Sequence, residues 1–219
     1  MTKEERNGRR KRRDSFRKRI PELGYYYIFT DTDETEENYI LGLRDSLPPE
    51  IRGRIVIKVF KAKTVALVRR CKEMAAMLPQ YSEPWIIFDR DKVPHFDKII
   101  KKAQAEGIMV GWSNPCIEIW FHAYFGKMAN HQDSVTCCSK FSELFKQKTG
   151  REYDKGDKQH YDILCKYGDE EKAVKLAEER LQQHIRDGKE QPSDICPGTT
   201  LHRLVGEIKR KVGKKERSK

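Results

Sequence analysis

The amino-acid sequence predicts a mixed α/β fold, in which a mainly parallel sheet is flanked by helices and followed by a helical C-terminal extension. Strand-like and helix-like segments alternate as far as about residue 126, and only helix-like patterns follow. Such alternation is typical of βαβ units, whose strands run parallel. We therefore expect four regions: a basic arm (1–20), an α/β core (21–126), a helical extension packed on that core (127–212) and a basic tail (213–219).

Strands are predicted where short runs are rich in apolar, aromatic and β-branched residues. In the core these runs are YYYIFT (25–30), RIVIKVF (54–60), WIIF (85–88) and IMVGW (108–112). The first intervening helix is expected to begin near Thr35, a candidate N-cap residue. Apolar residues at helical spacing predict the other core helices at 64–78, 96–106 and 116–125.

The extension shows helical periodicity alone. Its predicted helices cover 138–149, 158–166, 169–187 and 199–212, and the proline-containing segment 189–198 is a predicted loop. In segment 169–187, apolar residues recur at the spacing of a buried helix face.

Positive charge is concentrated at the two ends of the chain. Residues 1–20 contain ten Lys and Arg against three acids, and residues 201–219 contain eight against two. Subtracting these charges of +7 and +6 from the total of +11 leaves −2 for residues 21–200. Clustered cations gain free energy by displacing counterions from phosphates, so nucleic acid is the expected partner of the arm. A solvated tail that only aids solubility is the alternative. The densest basic run is Arg9, Arg10, Lys11, Arg12 and Arg13.

The composition argues against several other classes of protein. No stretch approaches the ~20 apolar residues of a membrane helix, and the basic N-terminus lacks the apolar region of a secretory signal. The six cysteines form no CxxC pair and no clear Cys/His ligand motif. A disulfide framework or a zinc site is therefore not expected, and reduced thiols in the cytoplasm fit better.

Acidic residues follow the predicted strands at their C-terminal ends. Asp31 begins an acidic run after the first strand, Asp89 and Asp91 follow the third, and Asn114 and Glu118 follow the fourth. The C-terminal ends of parallel strands share one sheet edge, where ligands bind in open α/β folds. Converging carboxylates repel each other unless a cation lies between them, and their oxygens suit Mg²⁺ or Mn²⁺. The pattern therefore indicates a divalent-metal site.

Structural roles are open for some of these residues. Asp33, Thr35 and Glu37 also suit helix capping or a solvated face. Glu118 is the single acid of an otherwise apolar helix, and such a carboxylate needs a partner. A metal ion is one explanation, and a salt bridge to Lys or Arg is the alternative. His122 is interpreted as a neutral packing or hydrogen-bonding histidine.

The order of the motifs resembles the RloB family of bacterial anti-phage defence proteins. The motifs that carry the resemblance are Thr-Glu-Glu-Asn-Tyr at 35–39, Phe-Asp-Arg-Asp at 88–91 and Ser-Asn-Pro-Cys-Ile-Glu-Ile-Trp at 113–120. The third motif is the most specific. Weaker matches lie at 153–155 and 197–205, so the resemblance covers about 24–210.

The resemblance implies a TOPRIM-like fold and a metal-dependent nuclease that acts on RNA, including tRNA, or on DNA. It also implies a partner ATPase. Carried over to this chain, it makes Lys155 a phosphate-binding residue. The implied catalytic and metal-binding residues are Asp31, Glu36, Asp89, Asp91 and Glu118.

One position departs from the family pattern, which has Glu-Gly where Asp31-Thr32 stand. The Asp carboxylate reaches about 1 Å less far, and such a displacement is enough to reduce a catalytic rate. Loss of the Gly also removes an open backbone approach to phosphate. Either the metal site is shifted, with Asp33 or Glu34 compensating, or the activity is weaker or altered.

Two alternatives remain at this level. The segment Asp31-Thr32-Asp33-Glu34-Thr35 also fits the DxDxT signature of haloacid-dehalogenase-type phosphatases, in which the first Asp is a nucleophile. That family also needs a Ser or Thr after a second strand, a Lys on a helix and a distal acidic pair, and Ser113 and Asp169-Glu170 fit the spacing and order of these groups only loosely. The second alternative is a catalytically degenerate TOPRIM domain that binds nucleic acid or its ATPase partner without cutting.

Overall fold

The predicted fold class is confirmed by the computed structural model, which describes residues 21–31, 34–78, 81–91 and 93–216, with side chains as far as residue 213. A mostly parallel five-stranded sheet is flanked by helices, and helices dominate the C-terminal half. Arg9, Arg10, Lys11, Arg12 and Arg13 of the basic arm lie outside the described residues.

The sheet has the strand order β2-β1-β3-β4-β5. The first four strands are mutually parallel, and β5 pairs antiparallel with β4. The four parallel strands are predicted from the sequence to within a few residues, whereas no strand is predicted at β5. The bounds are β1 Gly24–Thr30, β2 Ile55–Lys61, β3 Ser82–Asp89, β4 Met109–Asn114 and β5 Gly198–Thr199.

The helices of the N-terminal half connect the parallel strands. A 3-10 turn at Thr64–Ala66 precedes the third of them, where the sequence predicts one continuous helix from residue 64. The prediction that Thr35 is the N-cap is wrong, because the first helix begins at Glu34 and the Thr35 hydroxyl donates to the Lys155 carbonyl instead. The bounds are α1 Glu34–Asp45, α2 Pro49–Arg52, α3 Leu67–Ala75, α4 Phe96–Ala105 and α5 Glu118–Tyr124.

The C-terminal half contains the four predicted helices with shifted bounds. The first begins four residues earlier than expected, at Ser134, because Asp133 caps it by accepting a 2.8 Å hydrogen bond from the Thr136 N–H. The predicted loop 189–198 contains a 3-10 turn at Pro192–Asp194 and ends in β5. The bounds are α6 Ser134–Thr149, α7 His160–Tyr167, α8 Glu170–Arg186 and α9 Leu201–Glu216.

Two hydrophobic clusters cover the two faces of the sheet. Alternation along β1 sends Tyr26 and Ile28 to one face and Tyr27 and Phe29 to the other. The larger cluster joins the first face to α1 and to the C-terminal helices, and the smaller one packs the second face against α3 and α4. Because β1 is buried on both faces, its packing fixes the position at which the acidic segment that follows it leaves the sheet.

A short connection attaches α9 to the end of β4. The Thr200 N–H donates to the Trp112 carbonyl at 2.8 Å, and the Trp112 N–H donates to the Thr200 hydroxyl at 3.0 Å. These bonds satisfy the edge of β4 beside the short β5 pairing. Among the helices in the described part of the chain, none has both the length and the apolar character that crossing a bilayer requires.

Candidate active site

A cleft of about 760 Å³ opens at the C-terminal edge of the parallel strands. Four of the acids that the sequence analysis singles out line it: Asp31, Glu36, Asp89 and Asp91. They come from the ends of β1 and β3 and from the first turn of α1. The parallel arrangement therefore brings together side chains that are up to 60 residues apart in the chain.

Asp31 and Glu36 form the β1 side of the cleft. The Asp31 N–H donates to the Ile87 carbonyl at 3.2 Å, which extends the pairing of β1 with β3 by one residue. The Thr64 hydroxyl donates to Asp31 Oδ2, so the carboxylate is held from the β2 side of the cleft. Glu36 is 3% exposed, an unusual degree of burial for an acid in the first turn of a helix.

Asp89, the last residue of β3, lies at the centre of the group. Its Oδ2 accepts a 2.9 Å hydrogen bond from the Ile117 N–H, whereas its buried Oδ1 accepts none from the residues that the structure describes. Burial, followed by the negative charges of Glu36 and Glu118, raises the pKa of Asp89 well above its usual 3.8. Burial therefore disfavours the charged form of this carboxylate, and the neighbouring acids disfavour it further.

Asp91 lies on the exposed side of the cleft, in a turn held by the β4–α5 connection. The Arg90 N–H donates to the Ser113 carbonyl at 2.7 Å, and the Asp91 N–H donates to the Pro115 carbonyl at 2.9 Å. The Ser134 hydroxyl donates to Asp91 Oδ1 at 2.7 Å, which links the turn to the start of α6. Backbone contacts therefore position the Asp-Arg-Asp segment.

Glu118 is fully buried next to the cleft lining. Its Oε1 accepts a 3.0 Å hydrogen bond from the Tyr153 hydroxyl and lies 3.2 Å from Lys155 Nζ. Burial acts to raise the pKa of Glu118, but the Lys155 charge and several hydrogen bonds outweigh it, so the pKa lies below its usual value. The salt bridge that the sequence analysis offers as an alternative is present.

Cationic side chains lie beside the acids. Lys63 and Lys155 line the cleft, and the Lys155 side chain is 60% exposed despite its ion pair. A neighbouring groove shares three residues with the cleft, Thr64, Val65 and Pro94. The basic residues that line this groove are Arg69, His95, Lys98 and Lys102. The cationic residues of the cleft and of this groove form a surface beside the acids, and such a surface suits a polyanion.

Asn114 and His122, which the sequence also singled out, have structural roles. The Asn114 amide donates to the carbonyls of Pro192 and Ser193, at 3.3 and 3.1 Å, and so holds the loop before β5. His122 is 3% exposed, and burial lowers its pKa to about 4, so it is neutral at physiological pH, as expected.

The structure also brings together a group that sequence reasoning missed. Cys116, Glu118 and Cys138 each offer a ligand atom, and these atoms lie within 4.8 Å of one another. Cys138 comes from α6, 22 residues after Cys116, a spacing that belongs to no common ligand motif. The one sequence signal that could have indicated this group is the close spacing of Cys116 and Glu118 in the Ser-Asn-Pro-Cys motif.

The comparisons with known proteins agree with the motif resemblance. The family model described as RloB-like protein matches residues 26–208, most of the chain. The chain belongs to the RloB-like family. No curated protein and no solved structure matches it. The RloB-like match includes Lys155 and the five candidate catalytic acids, and it excludes residues 9–13 of the basic arm.

Proposed function

We propose that this RloB-like protein is a metal-dependent nuclease that hydrolyses RNA or DNA phosphodiester bonds. The observation that carries the proposal is the convergence of Asp31, Glu36, Asp89 and Asp91 on one cleft. Gathering carboxylates in a partly buried place costs free energy through desolvation and mutual repulsion, and the raised pKa of Asp89 is consistent with this cost. A divalent cation would relieve it.

The donor set fits a hard cation. All four cleft acids offer carboxylate oxygens, the ligands preferred by Mg²⁺ and Mn²⁺, and the exposed side near Asp91 leaves room for water and phosphate. We assign the binding of the ion to Asp31, Glu36, Asp89 and Asp91. A bound Mg²⁺ or Mn²⁺ ion supplies charge stabilisation and lowers the pKa of water.

The chain's own residues would position the substrate around that ion. Lys155 and Lys63 would bind phosphate oxygens from the rim of the cleft, and the groove beyond Val65 would take the neighbouring backbone. The ion pair with Glu118 and the contact of the Lys155 carbonyl with Thr35 fix the segment that carries Lys155. Glu118 would act through Lys155 and Asp89 instead of facing the substrate.

The wider biological role is proposed from the family. As an RloB-like protein, the chain would act in defence against phage and would be controlled by a partner ATPase. The basic arm, with Arg9 to Arg13, would add phosphate contacts that carry no sequence information. RNA and DNA both carry the phosphodiester backbone that these contacts would bind, and tRNA is the first RNA to test.

The phosphatase alternative is disfavoured by the contacts of the residues it needs. The buried Ser113 hydroxyl bonds to Thr199, and Asp169 caps α8 by accepting from the Lys172 N–H. Glu170 accepts hydrogen bonds from the hydroxyls of Tyr124 and Tyr161 at 3.0 and 2.8 Å. All three side chains are engaged in structural contacts.

The proposal is tested by incubating the full chain with labelled tRNA and with plasmid DNA, in Mg²⁺, Mn²⁺ or EDTA. We expect cleavage with either metal, loss of cleavage in EDTA and loss in the double variant Asp89→Asn/Asp91→Asn. Asp162→Asn, which changes an exposed acid of α7, is the matched control and should cut normally. Cleavage that persists in EDTA or in the double variant would refute the mechanism. Binding of either polynucleotide without cleavage under any condition would instead favour the binding-only alternative.

A further inference from the structure

The thiols of Cys116 and Cys138 meet beside the acidic cleft. Cys116 lies two residues before the start of α5, which begins at Glu118, and Cys138 lies on α6. The two Sγ atoms are 3.8 Å apart, and a carboxylate oxygen of Glu118 lies within 4.8 Å of both. Both cysteines line the cleft.

This spacing matches the geometry of a zinc–thiolate site. Two sulfur ligands at about 2.3 Å from a tetrahedral Zn²⁺ ion lie roughly 3.8 Å from each other. A disulfide would instead need the sulfur atoms to approach to about 2.05 Å. The two sulfur atoms are therefore spaced as a shared zinc ion requires.

The third ligand has an oxygen available. Tyr153 and Lys155 both engage Oε1 of Glu118, whereas Oε2 is buried and accepts no hydrogen bond within the described part of the chain. Partners on one oxygen of a ligating carboxylate orient the other, an arrangement common in the outer shell of metal sites. A buried acceptor in this state is destabilising unless something binds to it.

We propose that Cys116, Cys138 and Glu118 form a zinc site, separate from the hard-oxygen site of the cleft acids. Two thiolates and one carboxylate carry three negative charges, which a divalent cation and Lys155 would balance. Thiolates select Zn²⁺ over Mg²⁺, so the two sites take different ions. Three protein ligands would leave a fourth position, and because Cys116 and Cys138 line the cleft, water or a phosphate oxygen could reach it from there.

The test uses the full chain under reducing conditions, titrated with Co²⁺ as a spectroscopic substitute for Zn²⁺. We expect a sulfur-to-cobalt charge-transfer band and the strong visible absorption of a tetrahedral site, both displaced by Zn²⁺. In Cys138→Ser the apparent zinc affinity should fall by at least about 100-fold, since loss of an outer-shell partner alone costs 10–100-fold. Cys165→Ser, which changes the exposed thiol of α7, should keep the wild-type spectrum.

Absence of the charge-transfer band in the wild-type chain, or an unchanged band in Cys138→Ser, would overturn the proposal. Zinc-edge X-ray absorption of the wild-type chain decides the matter even if the variant does not fold: two sulfur scatterers are expected, and a shell of oxygen and nitrogen alone would contradict the site. Asp31→Asn should keep the cobalt spectrum. Failure of the zinc site therefore remains distinguishable from failure of the nuclease proposal.

Discussion

The Ile117 N–H donates a 2.9 Å hydrogen bond to Asp89 Oδ2 and ties the end of β3 to the start of α5. The bond holds Oδ2 of the carboxylate, whereas Oδ1 is buried and accepts no hydrogen bond from the described residues. A backbone donor therefore holds one oxygen, and the proposed cation would bind the other. This single contact connects the β3–β4 pairing of the fold to the geometry of the site.

Substitution of Lys155 by Met should weaken binding of nucleic acid and should also lower the stability of the fold, because it removes the ion-pair partner of the buried Glu118. Lys155 is largely exposed at the cleft rim, and its removal deletes one charge that we propose to bind phosphate. The slope of log affinity against log salt should become shallower by about one unit, with a loss of affinity that is similar for all sequences. Fluorescence anisotropy with a labelled oligonucleotide measures both quantities.

Lys172→Met is the control for this variant, because Lys172 is an exposed lysine on α8 that pairs with Asp169. Its salt slope should equal that of the wild-type chain. A Lys155→Met slope that equals the control slope would show that Lys155 makes no phosphate contact.

Substitution of Gly42 by Ala should destabilise the protein, because α1 approaches α7 closely at this point. A Cβ atom at Gly42 would lie 2.5 Å from Cβ of Tyr161. Overpacking of this kind costs roughly 1–3 kcal/mol. The free energy of unfolding, measured by urea titration, should fall by that amount.

Gly53→Ala provides the matched control, since Gly53 has an ordinary φ of −78° and a Cβ there would have no atom within 4 Å. Equal stabilities of the two variants would contradict the close packing of α1 on α7. Because α1 carries Glu36, that packing also positions the acidic group.

His122 should make stability depend on pH in the acid range. Burial lowers the pKa of His122 from 6.5 to about 4, so the unfolded chain takes up this proton at a higher pH than the folded chain. The stabilising contribution is complete above 6.5 and is lost as the pH falls towards 4. The total loss from this residue is roughly 2–4 kcal/mol, from 1.36 kcal/mol for each pKa unit.

The variant His122→Phe isolates this contribution, because Phe keeps an aromatic contact with Phe141 and has no titrating nitrogen. The free energy of unfolding of the variant should fall less steeply between neutral pH and pH 4 than that of the wild-type chain. Parallel pH profiles for the two proteins would show that folding does not lower the pKa of His122.

Much of the fold follows from local pattern, and much of the site does not. Strands β1 to β4 are apolar enough to be recognised alone, and their order in the chain places Asp31 and Asp89 at strand ends. By contrast, β5 has only two residues, and its pairing depends on contacts of Thr199 and Thr200 with Trp112 that no local pattern encodes. Long-range pairing decides such short elements.

The partners of Glu118 were hidden for the same reason. Tyr153, which donates a hydrogen bond to Glu118, lies 35 residues further along the chain. Cys138, which meets Cys116, lies on a different helix. Neither contact has a signature in sequence spacing. Thr35 has the composition of an N-cap, but its hydroxyl binds a carbonyl 120 residues away. Tertiary contacts override local preference at these positions.

The central claim, that Asp31, Glu36, Asp89 and Asp91 hold a divalent cation, is tested most directly by Mn²⁺ binding. Electron paramagnetic resonance of free Mn²⁺ during titration measures the bound fraction in the wild-type chain, in Asp89→Asn and in the control Asp162→Asn. Asp89→Asn preserves the shape of the side chain and an acceptor for the Ile117 N–H while removing the charge. We expect binding by the wild-type chain and the control, displacement by Mg²⁺, and affinity at least about 100-fold weaker in Asp89→Asn, since the change removes a ligand itself. Equal Mn²⁺ affinity in all three proteins would contradict the account.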